Sequence, residues 1–586
     1  MGVLKFQQWL RTEFRKHVSS RLSELIGDKG VKRLFVDYNA IVHMAATEVY
    51  DVDDPVIYDA MMQEPDAYIL SEGGIVDVIM EELIGLIETV RPKRLVYIAA
   101  DGVAMKAKIV QQRQRSFKSG SDTHPFNRNK VKPGTQFMTM VCSEIRSRLK
   151  QYAKENGDDT DVGEFPSKIE FSDDSDPGEG EHKIVKMFNK KPNQRRGFDR
   201  EVDIVYSPDA DMHFLMMLHS NPQSDNVVIM RHAFKQPPKE DDEEPQEQPK
   251  YEYFHTSEIS KVLRKTGFPE IRDFLFVCIF GGNDFVPSLP CFKYGDGNVF
   301  GELVSAYRRT FGIDKGRGSI YDGDNIMWSN VVKYLQSLES VSQTFLERGG
   351  NKQIMRPDLY YDEKTGEDRR SKVLEWSMSD SEEGNAKFSQ AFFNQRYKSY
   401  IFGTFHNREL GREDITYDLT PDMVRSYLEG FLWVMEYYSN QGQGVNHDWC
   451  YPFHYAPDVP DIKNYVETKG KKPDWYDVPL YKFNDVVNTP LQHLVAVLKQ
   501  EDLYLLPDIV RVLFLKEMPH LFPSSVQTDR TCVPFGQEWR EVILINYPSM
   551  ASIRTLFEVI KDNPDVVAKN KRRIFTAVWE KKIRGV

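Results

Sequence analysis

The sequence predicts an α/β chain: a mainly parallel, twisted sheet flanked by helices, followed by a mostly helical C-terminal region. Three observations carry this expectation. Short, almost continuous apolar runs recur, and each closes on an aspartate: the run 33–37 ends in Asp37, the run 94–101 in Asp101, and two later runs in Asp173 and Asp209. Between them lie stretches with helical spacing, such as Ile75, Val76, Val78, Ile79, Leu83, Leu86 and Ile87. Strands apolar on both faces and alternating with helices belong to a parallel sheet covered on both sides. In such sheets ligands bind beyond the carboxyl ends of the strands, which is where these acids fall.

Residues 5–28 carry helical periodicity with Arg11, Arg15, Lys16 and Arg21 among them, which predicts a basic N-terminal helix. Residues 236–250 are rich in Pro, Glu and Gln without an apolar residue before Lys250, and read as a disordered acidic insertion. A polar segment over 351–395 connects a first region, 1–350, to a second, 396–586, which packs on it. There Thr420 and Pro421 read as a helix cap and first helical residue, and Val424, Leu428, Phe431, Leu432, Met435 and Tyr438 continue one apolar face. The last hundred residues read as mostly helical, and no repeat recurs at a fixed period.

Composition bounds the function classes. With 586 residues, 40% hydrophobic and 28% charged, the chain reads as a globular protein of two to four domains. The net charge of −11 hides acidic tracts such as 239–247, so local basic faces remain open and the total does not decide for or against nucleic acid. The five cysteines are widely spaced, with no C-x-x-C pair, which indicates neither a disulfide framework nor zinc. No run approaches membrane-spanning length, the first residues are too polar for a secretory signal, and Phe6 stands where a myristoylation motif wants Ser or Thr. The expectation is a soluble, intracellular protein with no membrane partner.

Two constellations point to chemistry. The first is acidic: Asp37, Asp101, Glu179 and Glu181 in Asp-Pro-Gly-Glu-Gly-Glu-His-Lys, Asp209 and Asp211 after an apolar run, and Asp284 in Gly-Gly-Asn-Asp-Phe. One aspartate after a strand is commonly just a cap or a turn residue. An Asp-x-Asp after a strand together with Gly-Glu-Gly-Glu is better explained by a cation, because gathered carboxylates repel and resist desolvation. Hard oxygen ligands suit Mg²⁺, with Mn²⁺ as its substitute, and paired ions about 3.5–4 Å apart serve phosphoryl chemistry. The second constellation follows Asp101: on a helix, Lys108, Gln112 and Arg115 share one face and offer a point charge, a neutral donor and a planar fork to a terminal phosphate. On its own such a face is more often merely solvated. His43 and Trp449 are candidates for base stacking, although each residue type is more often core or cap.

The tracts at 101–115, 133–138, 177–183, 209–211 and 282–287, with Met-Gly-Val-x-Lys-Phe at the start and Tyr-Pro-Phe-His-Tyr-Ala-Pro at 451–457, closely resemble the Xrn-type 5′-to-3′ exoribonucleases. The resemblance implies a nuclease core of the PIN/FEN-like kind in which the seven acids hold two Mg²⁺ ions. It implies a pocket of Lys108, Gln112 and Arg115 that accepts a 5′-monophosphate and excludes capped or triphosphate ends. It further implies that His43 stacks on terminal bases with a tryptophan of the second region, Trp449, as its partner. The expected activity is processive degradation of single-stranded RNA to 5′-mononucleotides by a monomer, with decapping machinery as a partner that feeds it. The alternatives are a 5′ flap DNA endonuclease and an inactive RNA-binding scaffold. The chain departs from the family at two places: Ser116 follows Arg115 where a second arginine is common, with Lys118 two residues on, and His447 stands where one of two tryptophans is common. It is similar to a minimal member, of the kind a virus encodes, and without a basic nuclear signal it is expected in the cytoplasm rather than the nucleus.

Overall fold

Strand β2 (Val31–Asp37) sends alternate side chains to opposite faces of a sheet, and both faces are dry. Phe35 enters one core cluster with Tyr97, Val205 and Phe254; Leu34 and Val36 enter another with Val96, Ile98, Ile204 and Val228. Burial on both faces is why these strands are apolar at every position rather than at alternate ones. The computed structural model describes residues 5–50, 65–118, 126–157, 166–190, 201–233, 249–312, 318–375, 378–379, 387–409, 420–469, 486–564 and 566–567. The expected acidic insertion falls outside the described residues except at its end, where Lys250 pairs with Glu82 at 2.8 Å.

The seven-stranded sheet is ordered β1-β7-β6-β5-β2-β3-β4, with β1 at Val18–Ser19, β3 at Leu95–Ala99, β4 at Ile169–Ser172, β5 at Val202–Tyr206, β6 at Val227–His232 and β7 at Tyr251–Phe254. The run from β6 to β4 is parallel, and β7 and β1 close the far edge antiparallel. In the middle, Arg33 of β2 and Asp203 of β5 are register partners and form a buried ion pair at 2.7 Å.

Helices cover both faces. Tyr38–Tyr50 (α2), Pro65–Val90 (α3) and Gln136–Gly157 (α5) supply the first; Gly180–Asn189 (α6), Asp211–His219 (α7) and Ile271–Ile279 (α8) supply the second. Phe6–Glu13 (α1) joins the second face through Phe6, Trp9 and Leu10. The long helix expected over 5–28 is therefore a correction: α1 stops at Phe14, and Val18 and Ser19 pair with Phe254 and Tyr253. The open edge of β7 offers backbone hydrogen bonds there, and a β-branched residue beside two serines costs little to extend.

The second region packs on the same core. Trp328–Met355 (α9) lies against Val459–Lys469 (α11), and Thr420–Ser439 (α10) buries Val424, Leu428, Phe431, Leu432, Met435 and Tyr438. Part of the polar connector is packed: Arg369 is buried between Glu367 and Glu538, each at 3.0 Å. In the C-terminal stretch the short helix Pro490–Val497 (α12) is held by a complete capping box from Thr489 and Gln492, and a small antiparallel pair, Gln527–Asp529 with Val542–Leu544, stands among the helices. Among the described residues no helix is long and apolar enough to cross a membrane.

Candidate active site

The acids gather beyond one end of the parallel strands. Asp37 closes β2 and accepts a hydrogen bond from Ser207 Oγ at 3.0 Å. Asp101 lies two residues past β3; its N–H donates to Asn39 Oδ1 at 3.0 Å and its Oδ1 accepts from the Gly180 N–H at 2.7 Å. Glycine is required at this crossing, because a Cβ on Gly102 would lie 1.9 Å from Asp176 O and one on Gly180 would lie 2.9 Å from Ala99 O. Two backbone hydrogen bonds, Gly102 N–H to Gly178 O and Gly178 N–H to Val103 O, strap the loops together. The strap sets Glu179 and Glu181 at the start of α6, while Asp209 and Asp211 arrive on the turn from β5 into α7. Oxygens of Asp37, Glu181 and Asp209 lie within 4.8 Å of one another.

Crowding shows in the protonation equilibria. Burial first, then the charges of Asp101 and Asp209, pushes the Asp37 carboxyl up to about 8. Burial and Asp284 push Asp211 up to about 7, and burial with Asp209 raises Glu181 well above the usual range. Asp101 is raised chiefly by burial. Asp284 goes the other way: burial opposes its charge, but Lys108 and Arg115 hold it far below the ordinary carboxylate range. Lys108 Nζ stands 2.7 Å from Glu179 Oε2 and 2.9 Å from Asp284 Oδ2, and Arg115 reaches Asp284 at 3.5 Å. One lysine cannot neutralise the whole group. Asp211 Oδ1 is buried with no hydrogen-bond partner among the described residues, an arrangement that is costly unless a cation meets it. An all-carboxylate set with an orphaned oxygen fits a hard divalent ion.

Lys106–Lys118 (α4) carries the basic face, and its two sides do different things. Arg113 is fully buried and donates to the carbonyls of Ala496, Leu521 and Asn546 at 3.0, 2.6 and 3.2 Å, which clamps the helix to the second region. On the other side Gln112 Oε1 meets His493 Nε2 at 2.6 Å. Burial holds the His493 ring neutral, so Nε2–H donates and the Gln112 amide keeps its own N–H donors for another acceptor. The N–H of Lys106, the first residue of α4, donates to His447 O at 2.9 Å. His43 is exposed on α2, and the charges around it are Lys132, Arg128, Arg115 and Asp209.

Several expectations meet a different geometry. Trp449 is 7% exposed and stacks on Trp433 at 5.0 Å and 24°, so that face of its indole is spent in the core rather than open to a base. Ser116 is 2% exposed and donates to Asn129 Oδ1 at 2.9 Å, a partner outside the acid cluster. Lys118 donates to Glu541 O at 3.4 Å, toward the second region. Other groups that touch the cluster escaped sequence reasoning. Tyr437 donates to Glu179 Oε1, and Tyr438 donates to Asp211 Oδ2 at 2.9 Å. Helical spacing marks Tyr438 as buried, but nothing local tells what its hydroxyl meets. His493, which meets Gln112, sits in a stretch without any catalytic pattern.

Comparison with known proteins covers nearly the whole chain. A family model described as XRN 5'-3' exonuclease N-terminus matches residues 1–125 and 120–233, and one described as Xrn1 helical domain matches 270–409 and 387–547. The 5'-3' exoribonuclease 1 of Homo sapiens is 24% identical over 620 residues, covering 93% of this chain and 33% of that protein. That of Saccharomyces cerevisiae is 22% identical over 690 residues, covering 93% and 42%. The 5'-3' exoribonuclease 2 of Gallus gallus is 23% identical over 729 residues, covering 98% and 71%. The chain thus spans less than half the length of the first two relatives.

Proposed function

The chain belongs to the Xrn-type 5′-to-3′ exoribonuclease family, and from that premise we propose that it degrades single-stranded RNA bearing a 5′-monophosphate, processively, to 5′-mononucleotides. The observation that carries the reading is the shared position of Asp284: its carboxylate belongs to the acid cluster and is also paired with Lys108 and Arg115 of the phosphate helix. A terminal phosphate bound by that helix would lie next to the acids, so the first phosphodiester bond is the one within their reach.

Asp37, Asp101, Glu179, Glu181, Asp209, Asp211 and Asp284 would hold two Mg²⁺ ions, with Mn²⁺ as substitute. The chemistry that such ions supply is activation of a water and neutralisation of charge on the leaving oxygen. The protein's own groups do the rest. Lys108 gives the phosphate a point charge, Arg115 a fork and Gln112 the neutral donors that His493 leaves free. His43 would stack on the terminal base. Each cleavage leaves a strand that again ends in a 5′-phosphate, the same ligand, which is what makes repeated cycles on one RNA natural. In this reading residues 1–350 are the nuclease core, 351–395 the connector, and 396–586 the region that completes the pocket from behind α4. The RNA would come from decapping or from any reaction that leaves a 5′-monophosphate.

The test is one RNA prepared with a 5′-monophosphate, triphosphate, hydroxyl or cap, incubated with Mg²⁺ or with chelator, beside a 5′ flap DNA. The expected outcome is mononucleotide release from the monophosphate RNA alone, and only with Mg²⁺. Preference for the flap DNA, or binding without cleavage, would replace the reading by a flap endonuclease or by a scaffold.

A further inference from the structure

We propose that Tyr437 and Tyr438, at the end of α10, are positioning residues that fix the carboxylates of Glu179 and Asp211 for divalent-ion binding; this rests on the acid cluster being a metal centre. Neighbouring residues on a helix point about 100° apart, so two consecutive side chains seldom serve one site. Here they do because their targets stand apart: Glu179 opens α6 and Asp211 opens α7, and the end of α10 lies between them.

Each hydroxyl takes one oxygen of its carboxylate and leaves the other. At Asp211, Tyr438 holds Oδ2 at 2.9 Å while Oδ1 stays buried without a partner. At Glu179, Tyr437 holds Oε1 while Oε2 faces Lys108 at 2.7 Å. A carboxylate held by one oxygen cannot rotate freely, so the other keeps its aim when a cation arrives, as outer-shell partners do in metal sites generally.

The tyrosines are themselves immobilised, which a mere solvent-side contact would not need. Tyr437 stacks on Trp433 at 4.7 Å and 16°, meets the His182 ring edge-on at 4.2 Å and touches Phe285 at 5.2 Å. The backbone at this point is pinned: the Gly442 N–H donates to Tyr437 O at 2.9 Å, and His219 Nε2 lies 2.7 Å from Tyr438 O. Ordering the hydroxyls therefore happens on folding and adds no cost when an ion binds. The second region would thus belong to the catalytic centre through these two hydroxyls, in addition to clamping α4.

The experiment titrates Mn²⁺ into the full chain by calorimetry, in the wild type and in Tyr437→Phe, Tyr438→Phe and Tyr427→Phe. Tyr427 is the control, a buried tyrosine of the same helix whose hydroxyl donates to Pro287 O at 3.0 Å and touches no acid. The expected result is Mn²⁺ affinity lowered on the order of ten- to hundredfold in Tyr437→Phe and Tyr438→Phe. Their KM for 5′-monophosphate RNA at saturating Mg²⁺ should be unchanged, and Tyr427→Phe should bind Mn²⁺ as the wild type does. Affinities within twofold of wild type in both Phe variants, or an equal fall in Tyr427→Phe, would overturn the proposal. A wild type without saturable Mn²⁺ binding would overturn the underlying metal-centre reading, and the proposal with it.

Discussion

The ammonium of Lys108 stands 2.9 Å from Asp284 Oδ2, so α4 and the acid cluster share an ion pair. A second arm of the same ammonium reaches Glu179 at 2.7 Å. Lys108 thus stands in for part of the positive charge the acids require. Replacing it by methionine keeps the volume but leaves buried Glu179 with only the Tyr437 hydroxyl and Asp284 with only Arg115 at 3.5 Å, and losing one partner of a buried pair costs roughly 3–5 kcal/mol. The expected outcome in thermal denaturation of Lys108→Met is a large loss of stability in chelator that shrinks when Mg²⁺ is added.

The raised carboxyls predict an inverted pH dependence for the metal-free chain. Asp37 and Asp211 titrate at about 8 and about 7 in the fold, against 3.8 for an unperturbed aspartate. A folded state that keeps protons the unfolded chain has released loses stability as pH rises between those values. The contribution is complete below about pH 4 and gone above about pH 8. Denaturation in chelator should therefore show a lower midpoint at about pH 8.5 than at about pH 6, and Mg²⁺ should raise the midpoint most at the higher pH. A midpoint that rises with pH in chelator would contradict these assignments.

Ser116 is predicted to be a structural residue rather than a missing phosphate ligand. Its hydroxyl bridges Asn129 Oδ1 and Gln112 O, and the amide of Asn129 in turn donates to Asp502 at 2.6 Å. Ser116→Ala leaves a buried oxygen unsatisfied and should cost about 1–3 kcal/mol by denaturant unfolding. Ser116→Arg should destabilise at least as much, because a guanidinium has no solvent there, and should not sharpen selection of monophosphate ends.

Arg113 gives a prediction about the join between the two regions. Its guanidinium satisfies three carbonyls of the second region. Arg113→Ala strands them, and each buried group left unpaired costs about 1–3 kcal/mol. Limited proteolysis should cut the variant within 490–550 before the sheet is attacked.

Much of the site was legible because its signals are local. Each acid of the sheet edge closes an apolar run or opens a helix, and the parallel-sheet rule places such positions together. The face of Lys108, Gln112 and Arg115 needs only helical periodicity. What stayed hidden depends on contacts between distant segments. Tyr438 reads as one more apolar-face residue, and its hydroxyl meets an aspartate more than two hundred positions earlier. Trp449 reads more often as core than as a base platform, and its stack on Trp433 places it in the core. Val18 and Ser19 leave the helical pattern because the edge of β7 is there to pair with.

The proposed cleavage requires divalent ions where Asp37, Glu181 and Asp209 converge. The direct measurement is an anomalous-difference map from crystals of the full chain grown with Mn²⁺. Strong peaks are expected between those carboxylates and Asp211. Peaks elsewhere, or none at a concentration that supports RNA cleavage in solution, would contradict that requirement.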